Sequence, residues 1–189
     1  GSGGPIPNLL SVGAVVPRKD HGALIEALGG LRHLPWRLAV AGNLSRAPRH
    51  AGALQARIAA GGLSARIKLL GEVPDAHLAR LWAAADLYVS ASRHEGYGMA
   101  IAEAFAHGIP VVTTSAGAAG AWIGRRGALV VPGGNLHGLR AALSDTLAHA
   151  SRRAALRAGA VARRRTLPTW EATAAAADRE LTRILEAGS

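Results

Sequence analysis

Short apolar segments alternate with longer amphipathic segments along most of the chain, and this alternation restricts the possible fold most strongly. Residues 9–12 and 37–41 are short apolar runs that end at a glycine, as buried strands do. Residues 21–31 and 49–60 instead carry apolar side chains at helical spacing. Strands that alternate with helices predict right-handed crossovers and a parallel sheet that is covered on both faces.

We therefore predict an α/β fold, a doubly wound, Rossmann-like parallel sheet of about six strands with a helical C-terminal tail. The 189 residues are enough for one sizeable domain and too few for two. Residues 1–4, which read Gly-Ser-Gly-Gly, are interpreted as a cloning scar or flexible start, 5–166 as the Rossmann-like domain and 167–189 as a C-terminal helix. The other strands are predicted at 67–70, 86–90, 109–113 and 128–131, and the other helices at 74–85, 98–107, 135–149 and 151–186, the last broken near Leu167 and Pro168.

Composition excludes several classes of protein and site. The chain has no cysteine, which excludes a disulfide framework, a thiolate zinc site and a cysteine nucleophile. Its eight histidines show no metal-ligand spacing on one helix face, so we predict no metal. No apolar run approaches the roughly 18 to 20 residues of a membrane span, and the start lacks the features of a secretory leader. We expect a soluble, cytoplasmic protein without membrane contact.

The formal charge of +10 and the pI near 11.5 raise the possibility of nucleic-acid binding. Aromatic residues make up only 4% of the chain and are not interleaved with the basic residues, as a base-stacking surface would require. The cations are mostly arginine, with Lys19 and Lys68 the only lysines. We therefore favour a solvated basic surface that suits an anionic ligand and expect no nucleic-acid partner.

The loops that follow the strands are where a sheet of this type binds ligands. Arg18 and Lys19 are adjacent cations after the first strand, just before a helix, and favour an anion. Gly96 and Gly98 precede another helix, whose first amides are free to bind a phosphate. Glu103 is the only charged residue between Gly96 and Gly124, and its apolar neighbours favour burial near a ligand hydroxyl.

Neither the dinucleotide-binding fingerprint nor the P-loop motif is present. Three other motifs resemble the donor-binding, C-terminal domain of retaining GT-B glycosyltransferases of the group 1, or family 4, type. They are the segment 11–19, the Gly-Glu-Val-Pro-Asp turn at 71–75, and the segment 92–112, in which Glu95 and Glu103 are separated by seven residues and precede Gly-Ile-Pro-Val-Val. The resemblance covers about residues 9–185.

This resemblance implies a role for each site residue. Arg18 and Lys19 would neutralise the donor diphosphate, and Glu95 would hold hydroxyls of the donor sugar. Glu103 would accept hydrogen bonds from the ribose, the backbone around Val73 would meet the base, and Gly13 would line the same site. The amides of a four-residue loop would cradle phosphate and sugar: Gly96, Tyr97, Gly98 and Met99.

The chain departs from the family pattern at two positions. Many members carry arginine directly after the glycine of the first loop, where this chain has Ala14, and we infer that Arg18 supplies that cation. Asp20 stands where glycine is usual.

The implied function is transfer of a hexosyl unit from a UDP- or GDP-sugar to an acceptor, with retention and without a metal or other cofactor. The acceptor would sit on an N-terminal Rossmann domain or partner subunit that this chain lacks, and the C-terminal helix would pack on it. Weak homo-oligomers are a further expectation. The alternatives are a nucleotide-sugar-binding module without transfer activity and a basic nucleic-acid-binding domain.

Overall fold

The computed structural model describes residues 6–115, 117, 119–167 and 170–187, so the predicted flexible start at 1–4 lies outside the described residues. Six strands form one sheet: β1 (Asn8–Val12), β2 (Arg37–Ala41), β3 (Ile67–Gly71), β4 (Leu87–Val89), β5 (Val111–Ser115) and β6 (Ala128–Pro132). The α-helices are α1 (His21–Gly29), α2 (Pro48–Ala60), α3 (Asp75–Ala84), α4 (Met99–Ala106), α5 (Ala119–Ile123), α6 (Leu136–Ala148), α7 (Ala150–Arg164) and α8 (Trp170–Ala187), and a short 3-10 helix spans Pro17–Lys19.

All strand pairs are parallel, and the order across the sheet is β3-β2-β1-β4-β5-β6. The chain builds outward from β1 to β3, then returns to place β4 on the other side of β1. The strand order therefore reverses between β1 and β4, and the crevice at their carboxyl ends is the expected ligand site of such a sheet. This confirms the predicted doubly wound α/β fold.

Helices cover both faces of the sheet, and consecutive strand residues serve the two opposite cores. Leu9 contributes to the core beneath α1 and α6, whereas the adjacent Leu10 contributes to the core beneath α4 and α7. Both side chains are fully buried, at 2% and 1% exposure. Burial on both faces explains why the strands read as continuous apolar runs rather than as alternating patterns.

Several element boundaries differ from the predicted ones by one or two residues. The predicted strand over 109–113 begins at Val111, because Pro110 has no N–H to donate to a neighbouring strand. The predicted helix over 21–31 ends at Gly29. The helix cap expected at Asn135 is confirmed, since its side chain accepts a hydrogen bond from the Gly138 amide at 2.8 Å.

Two short helical elements, the 3-10 helix at Pro17–Lys19 and α5, have no counterpart in the prediction. Neither is long enough to show helical periodicity in the sequence.

The C-terminal region forms two helices, as predicted. α7 ends at Arg164 and α8 begins at Trp170, on either side of Pro168, which lies outside the described residues. Leu181, Ile184 and Leu185 of α8 are 61%, 63% and 72% exposed. Within the described part of the chain, no helix has both the length and the apolar content of a membrane span.

Candidate functional site

A cavity of about 390 Å³ opens at the carboxyl ends of β1 and β4, where the strand order reverses. It is formed by the loops after these strands and by the first turns of α4. All but one of the predicted site residues line it: Gly13, Arg18, Lys19, Glu95, Gly96, Tyr97, Gly98, Met99 and Glu103. The structure thus brings together residues that are up to 90 positions apart in the sequence, from Gly13 to Glu103.

Lys19 and Glu95 form an ion pair inside this cavity. The Lys19 Nζ donates to Glu95 Oε1 at 2.5 Å, and the Ser92 hydroxyl donates to the same oxygen at 2.7 Å. The two ionic side chains are only 14% and 10% exposed. An ammonium group carries three donors, so this bond leaves Lys19 able to bind an anion as well. The carboxylate holds the cation at the cavity wall.

The turn before α1 fixes the position of Lys19. Asp20 adopts a left-handed conformation with φ of +45°, which aspartate tolerates better than most residues with a side chain. Its carboxylate accepts from the Ala23 amide at 3.3 Å and from Arg93 Nε at 2.7 Å, which caps α1 and ties the turn to the loop after β4. The positive φ gives a physical reason for the glycine that the family usually has here.

Arg93 strengthens the same connection through its backbone. Its amide donates to the carbonyl oxygen of Arg18 at 2.8 Å, so backbone and side chain both join the two loops. Arg18 itself is exposed at the cavity edge, where its guanidinium can reach a ligand in solvent. The two cations of the first loop therefore differ, since Lys19 is held in an ion pair with Glu95 and the side chain of Arg18 is exposed.

The N-terminus of α4 faces the cavity through its glycine loop. Gly98 has a φ of +82°, and a Cβ at this position would approach the Ala119 Cβ to 3.1 Å. Gly98, the N-cap residue of this helix, has no side chain that could form a capping hydrogen bond. The helix therefore presents its first backbone donors, and the positive end of its dipole, beside Lys19 and Arg18.

Glu103 lies one helical turn further along α4 and lines the same cavity, but it is half-buried rather than buried as expected. Burial raises the pKa of Glu103 above its ordinary value, and the nearby His107 and a hydrogen bond with Trp82 partly oppose this effect.

Val73 is the predicted site residue that lies outside this cavity. It lines an adjoining depression of about 290 Å³, which shares Val12 and Gly13 with the first cavity. This depression also contains Glu72, whose Oε1 accepts from Asn43 Nδ2 at 2.9 Å. The two hollows meet at Gly13, so one elongated ligand could occupy both.

Three further residues contribute to the site without a clear signal in the sequence. Ser92 orients Glu95, Tyr88 forms part of the cavity wall, and Asn43 holds Glu72. Tyr88 is fully buried, and burial raises the pKa of its phenol, so it stays neutral. Among the described residues, no group of three or more histidine, aspartate or glutamate side chains could hold a metal ion.

Comparison with protein families shows to which family the chain belongs. Residues 6–149 match the family model described as glycosyl transferases group 1. The chain belongs to this family. The expected resemblance is therefore confirmed at the level of the family and of the fold, while retention of configuration remains a prediction.

Individual relatives agree with this assignment. The lipopolysaccharide core biosynthesis mannosyltransferase LpcC of Rhizobium leguminosarum bv. viciae is 41% identical over 98 residues, which are 51% of this chain and 26% of that protein. The structure of Anabaena Alr3699/HepE in complex with UDP and glucose matches 97% of this chain and 49% of its own length, with a TM-score of 0.77 and 23% identity.

A third match is itself a single domain. The C-terminal domain of the group 1 glycosyl transferase LpcC from Francisella tularensis has a TM-score of 0.70 and 22% identity, covering 82% of this chain and 84% of that one. The chain spans less than half of the Rhizobium and Anabaena proteins but most of this domain.

Proposed function

We propose that this chain binds the nucleotide diphosphate sugar of a glycosyltransferase and holds it for transfer of a hexosyl unit, with retention, to an acceptor on another domain. The observation that carries the proposal is the cavity in which Lys19, Arg18 and the uncapped N-terminus of α4 converge beside Glu95. This arrangement places positive charge next to a carboxylate that can accept hydrogen bonds from hydroxyl groups. A diphosphate joined to a sugar has the complementary chemistry.

The donor would lie across both hollows of the site. Its diphosphate would contact Lys19, Arg18 and the amides of residues 96–99, with the sugar hydroxyls near Glu95. Its ribose would reach Glu103, and its base would enter the hollow beside Val73. UDP bound in the Anabaena neighbour supports a nucleotide ligand for this fold, and a UDP- or GDP-sugar is the donor that we propose.

In the reaction, the bond between the anomeric carbon and the diphosphate oxygen breaks, and a new bond forms between that carbon and an acceptor oxygen. Negative charge develops on the departing phosphate oxygen as its bond to the anomeric carbon breaks, and that oxygen takes up the proton that the acceptor hydroxyl loses. Lys19, Arg18 and the α4 dipole would stabilise that charge without reorganisation during the step. These residues suffice in our scheme, which assigns no metal and no other cofactor.

The acceptor site and the surface that covers α8 are proposed to belong to a second domain. Leu181, Ile184 and Leu185 of α8 are exposed and form an apolar stripe on the helix. An exposed apolar stripe marks an interaction surface. The Rhizobium and Anabaena proteins are more than twice as long as the part matched here. We propose that α8 packs against an N-terminal domain or a partner subunit.

Calorimetric titration with UDP-, GDP- and ADP-sugars tests the proposal directly. Selective, saturable binding of one donor supports it, and absence of binding to all three contradicts it. Adding a matching N-terminal half then separates a transferase from a binding module, because only the transferase would form a glycosylated acceptor.

A further inference from the structure

An aromatic cluster lies behind the glycine loop of the site. The ring of Trp122, in α5, stacks on that of Tyr97 with 5.2 Å between centroids and 19° between planes. The indole Nε1 of Trp122 also donates to the backbone carbonyl oxygen of Tyr97 at 2.7 Å. One side chain therefore contacts both the ring and the backbone of the loop residue between Gly96 and Gly98.

Trp122 is held in turn by α7 and α4. The guanidinium carbon of Arg163 lies 5.6 Å from the ring centroid of Trp122 and 5.6 Å from that of Phe105. Arg163 also donates a hydrogen bond from Nη2 to the carbonyl oxygen of Trp122. Phe105 is fully buried and meets Trp122 edge to face, with centroids 6.2 Å apart. The indole is thus fixed through its ring and its backbone.

The loop needs such external support. Gly96 has no side chain, and a Cβ built there would meet nothing within 4 Å, so the loop gains no packing of its own at this point. The neighbouring backbone is close-packed instead, because a Cβ at Gly117 would overlap the carbonyl oxygen of Glu95. Tyr97 is 48% exposed and lines the cavity, which leaves its contact with Trp122 as a main anchor of the loop.

We propose that Trp122, backed by Arg163, is a positioning residue that sets the geometry of loop 95–98 for the donor diphosphate. Trp122 itself does not contact the ligand. The identity of that ligand, a nucleotide diphosphate, rests on the proposed function. Its hydrogen bond and ring contact hold the Tyr97 peptide, and the amides that would bind phosphate belong to the same few residues. Fixed amides bind an anion more tightly than mobile ones, since the loop is already ordered.

The chain contains a matched unit elsewhere that serves as a control. Trp36 Nε1 donates to the Leu31 carbonyl oxygen at 2.9 Å, and the guanidinium carbon of Arg66 lies 5.2 Å from the Trp36 ring. Trp36 is 1% exposed, belongs to the core on the side of α1, and lines neither hollow of the site. A change here should affect stability without affecting the loop.

The experiment compares Trp122→Phe with Trp36→Phe. Phenylalanine keeps an aromatic ring but removes the N–H donor in each case. For Trp122→Phe we expect affinity for UDP or GDP to fall about two- to tenfold, which is the range of one net hydrogen bond, while affinity for uridine or guanosine is unchanged. For Trp36→Phe we expect the ratio of the two affinities to stay at the wild-type value. Equal ratios in both variants overturn the proposal.

Hydrogen exchange of the ligand-free protein provides a second readout. Amides of residues 95–99 should exchange about two- to tenfold faster in Trp122→Phe than in Trp36→Phe, because one hydrogen bond that restrains the loop is lost. Unchanged exchange there overturns the positioning role even if no nucleotide binds to the wild-type chain. Failure of the wild type to bind any donor instead contradicts the proposed function, so the two failures are distinguishable.

A pair of arginine variants covers the case in which Trp122→Phe does not fold. Arg163→Met removes the guanidinium from the Trp122 and Phe105 rings, and Arg66→Met removes the equivalent group from Trp36. We expect the affinity for the nucleoside diphosphate, relative to that for the nucleoside, to fall in Arg163→Met and to stay at the wild-type value in Arg66→Met. A fall of equal size in both variants overturns it.

Discussion

Lys19 and Glu95 are 76 residues apart in the sequence, yet a hydrogen bond of 2.5 Å joins them in the cavity. Each residue type suits its proposed ligand separately, a cation for phosphate and a carboxylate for sugar hydroxyls. Their pairing adds a second function, since each keeps the other in place while the site is empty. A bound diphosphate would then share a cation that is already positioned.

Lys19→Ala should weaken binding of a nucleoside diphosphate much more than binding of the nucleoside. Loss of a charge-assisted contact costs about 1.5 to 3 kcal/mol, and the variant also leaves the Glu95 carboxylate uncompensated near the phosphates. Calorimetry with GDP against guanosine, and with UDP against uridine, measures the difference. Lys68→Ala is the matched control, because Lys68 is the only other lysine and is exposed on β3. Equal losses for nucleotide and nucleoside would mean that Lys19 serves folding or the base.

Glu103→Gln should lower affinity for ribonucleotides by about 1 to 3 kcal/mol, because a carboxylate that accepts from two hydroxyls becomes a neutral amide. The 2′-deoxy and 3′-deoxy analogues should lose much less. Glu26→Gln is the control, since Glu26 pairs with Arg57 on the surface and is remote from both hollows. An equal loss for the deoxy analogues would reject the ribose contact.

The raised pKa of Glu103 adds a pH dependence to this prediction. Protonation removes the charge that accepts from ribose, so the affinity advantage of the wild type over Glu103→Gln should shrink as pH falls. Because burial raises the pKa, the advantage should disappear at a higher pH than an ordinary glutamate would give. Titrations of both variants between pH 4 and 8, at equal ionic strength, measure it; an advantage that is constant with pH would contradict the role.

At the level of helices and strands, the sequence predicts most of the framework. Six strands follow from short continuous apolar runs, which a strand buried on both faces requires, and the long helices follow from apolar residues at helical spacing. The 3-10 helix at Pro17–Lys19 does not follow, because three residues show no period and their conformation depends on Asp20 and Arg93. The site is only partly predictable for the same reason: motifs identify Lys19 and Glu95, but their pairing and the Trp122 support depend on tertiary contacts.

A buried histidine at the start of α1 leads to a testable prediction about stability in acid. His21, the first residue of α1, is 3% exposed, and its Nδ1 has no hydrogen-bond partner among the described residues. Burial, then the charge of Lys19, then His50 lower the pKa of His21 from 6.5 to about 4, against a smaller opposing effect of Asp20. His21 is therefore neutral in the folded protein at neutral pH.

Folding stability should fall as pH decreases from about 6.5 to 4, because the unfolded chain then takes up a proton at His21 that the folded protein excludes. His21 should lower the free energy of unfolding by about 3 kcal/mol at the acid end, because its pKa falls from 6.5 in the unfolded chain to about 4 in the folded protein. Urea unfolding at several pH values should show that the free energy of unfolding decreases less with falling pH in His21→Leu than in the wild type. Replacing the exposed His137 serves as the control; a wild-type slope in His21→Leu would refute the prediction.

The whole molecule combines a buried Rossmann-like core with an exposed apolar stripe on the C-terminal helix α8. The two cores of the sheet bury their apolar residues fully, whereas Leu181, Ile184 and Leu185 of α8 remain exposed. In the sequence, Trp170, Ala174 and Ala177 recur at helical spacing with these three residues; the side chain of Trp170 lies outside the described part of the structure, and Ala174 and Ala177 are exposed. An exposed apolar stripe of this kind marks an interaction surface.

We predict that the chain alone self-associates weakly, binds donor and does not transfer sugar to an acceptor. We expect self-association because the exposed stripe of α8 can pack against the same stripe of a second copy. We expect donor binding because the residues that line the cavity lie between positions 12 and 103 of this chain. Light scattering over a range of concentrations should detect the association. A combined Leu181→Glu and Leu185→Glu variant should remove it, with donor affinity equal to the wild-type value.

Transfer requires that an acceptor oxygen reach the anomeric carbon from a surface that faces the cavity. The residues around the cavity are assigned to the donor's diphosphate, sugar and ribose, and the acceptor is therefore proposed to bind on another domain. Adding the N-terminal half of a matching protein should therefore restore turnover and displace the self-association, because both partners would compete for α8. A strict monomer at high concentration, together with Trp170 fluorescence typical of a buried indole, would contradict this account. Efficient transfer by the purified chain would refute it outright, since one Rossmann-like domain would then supply both sites.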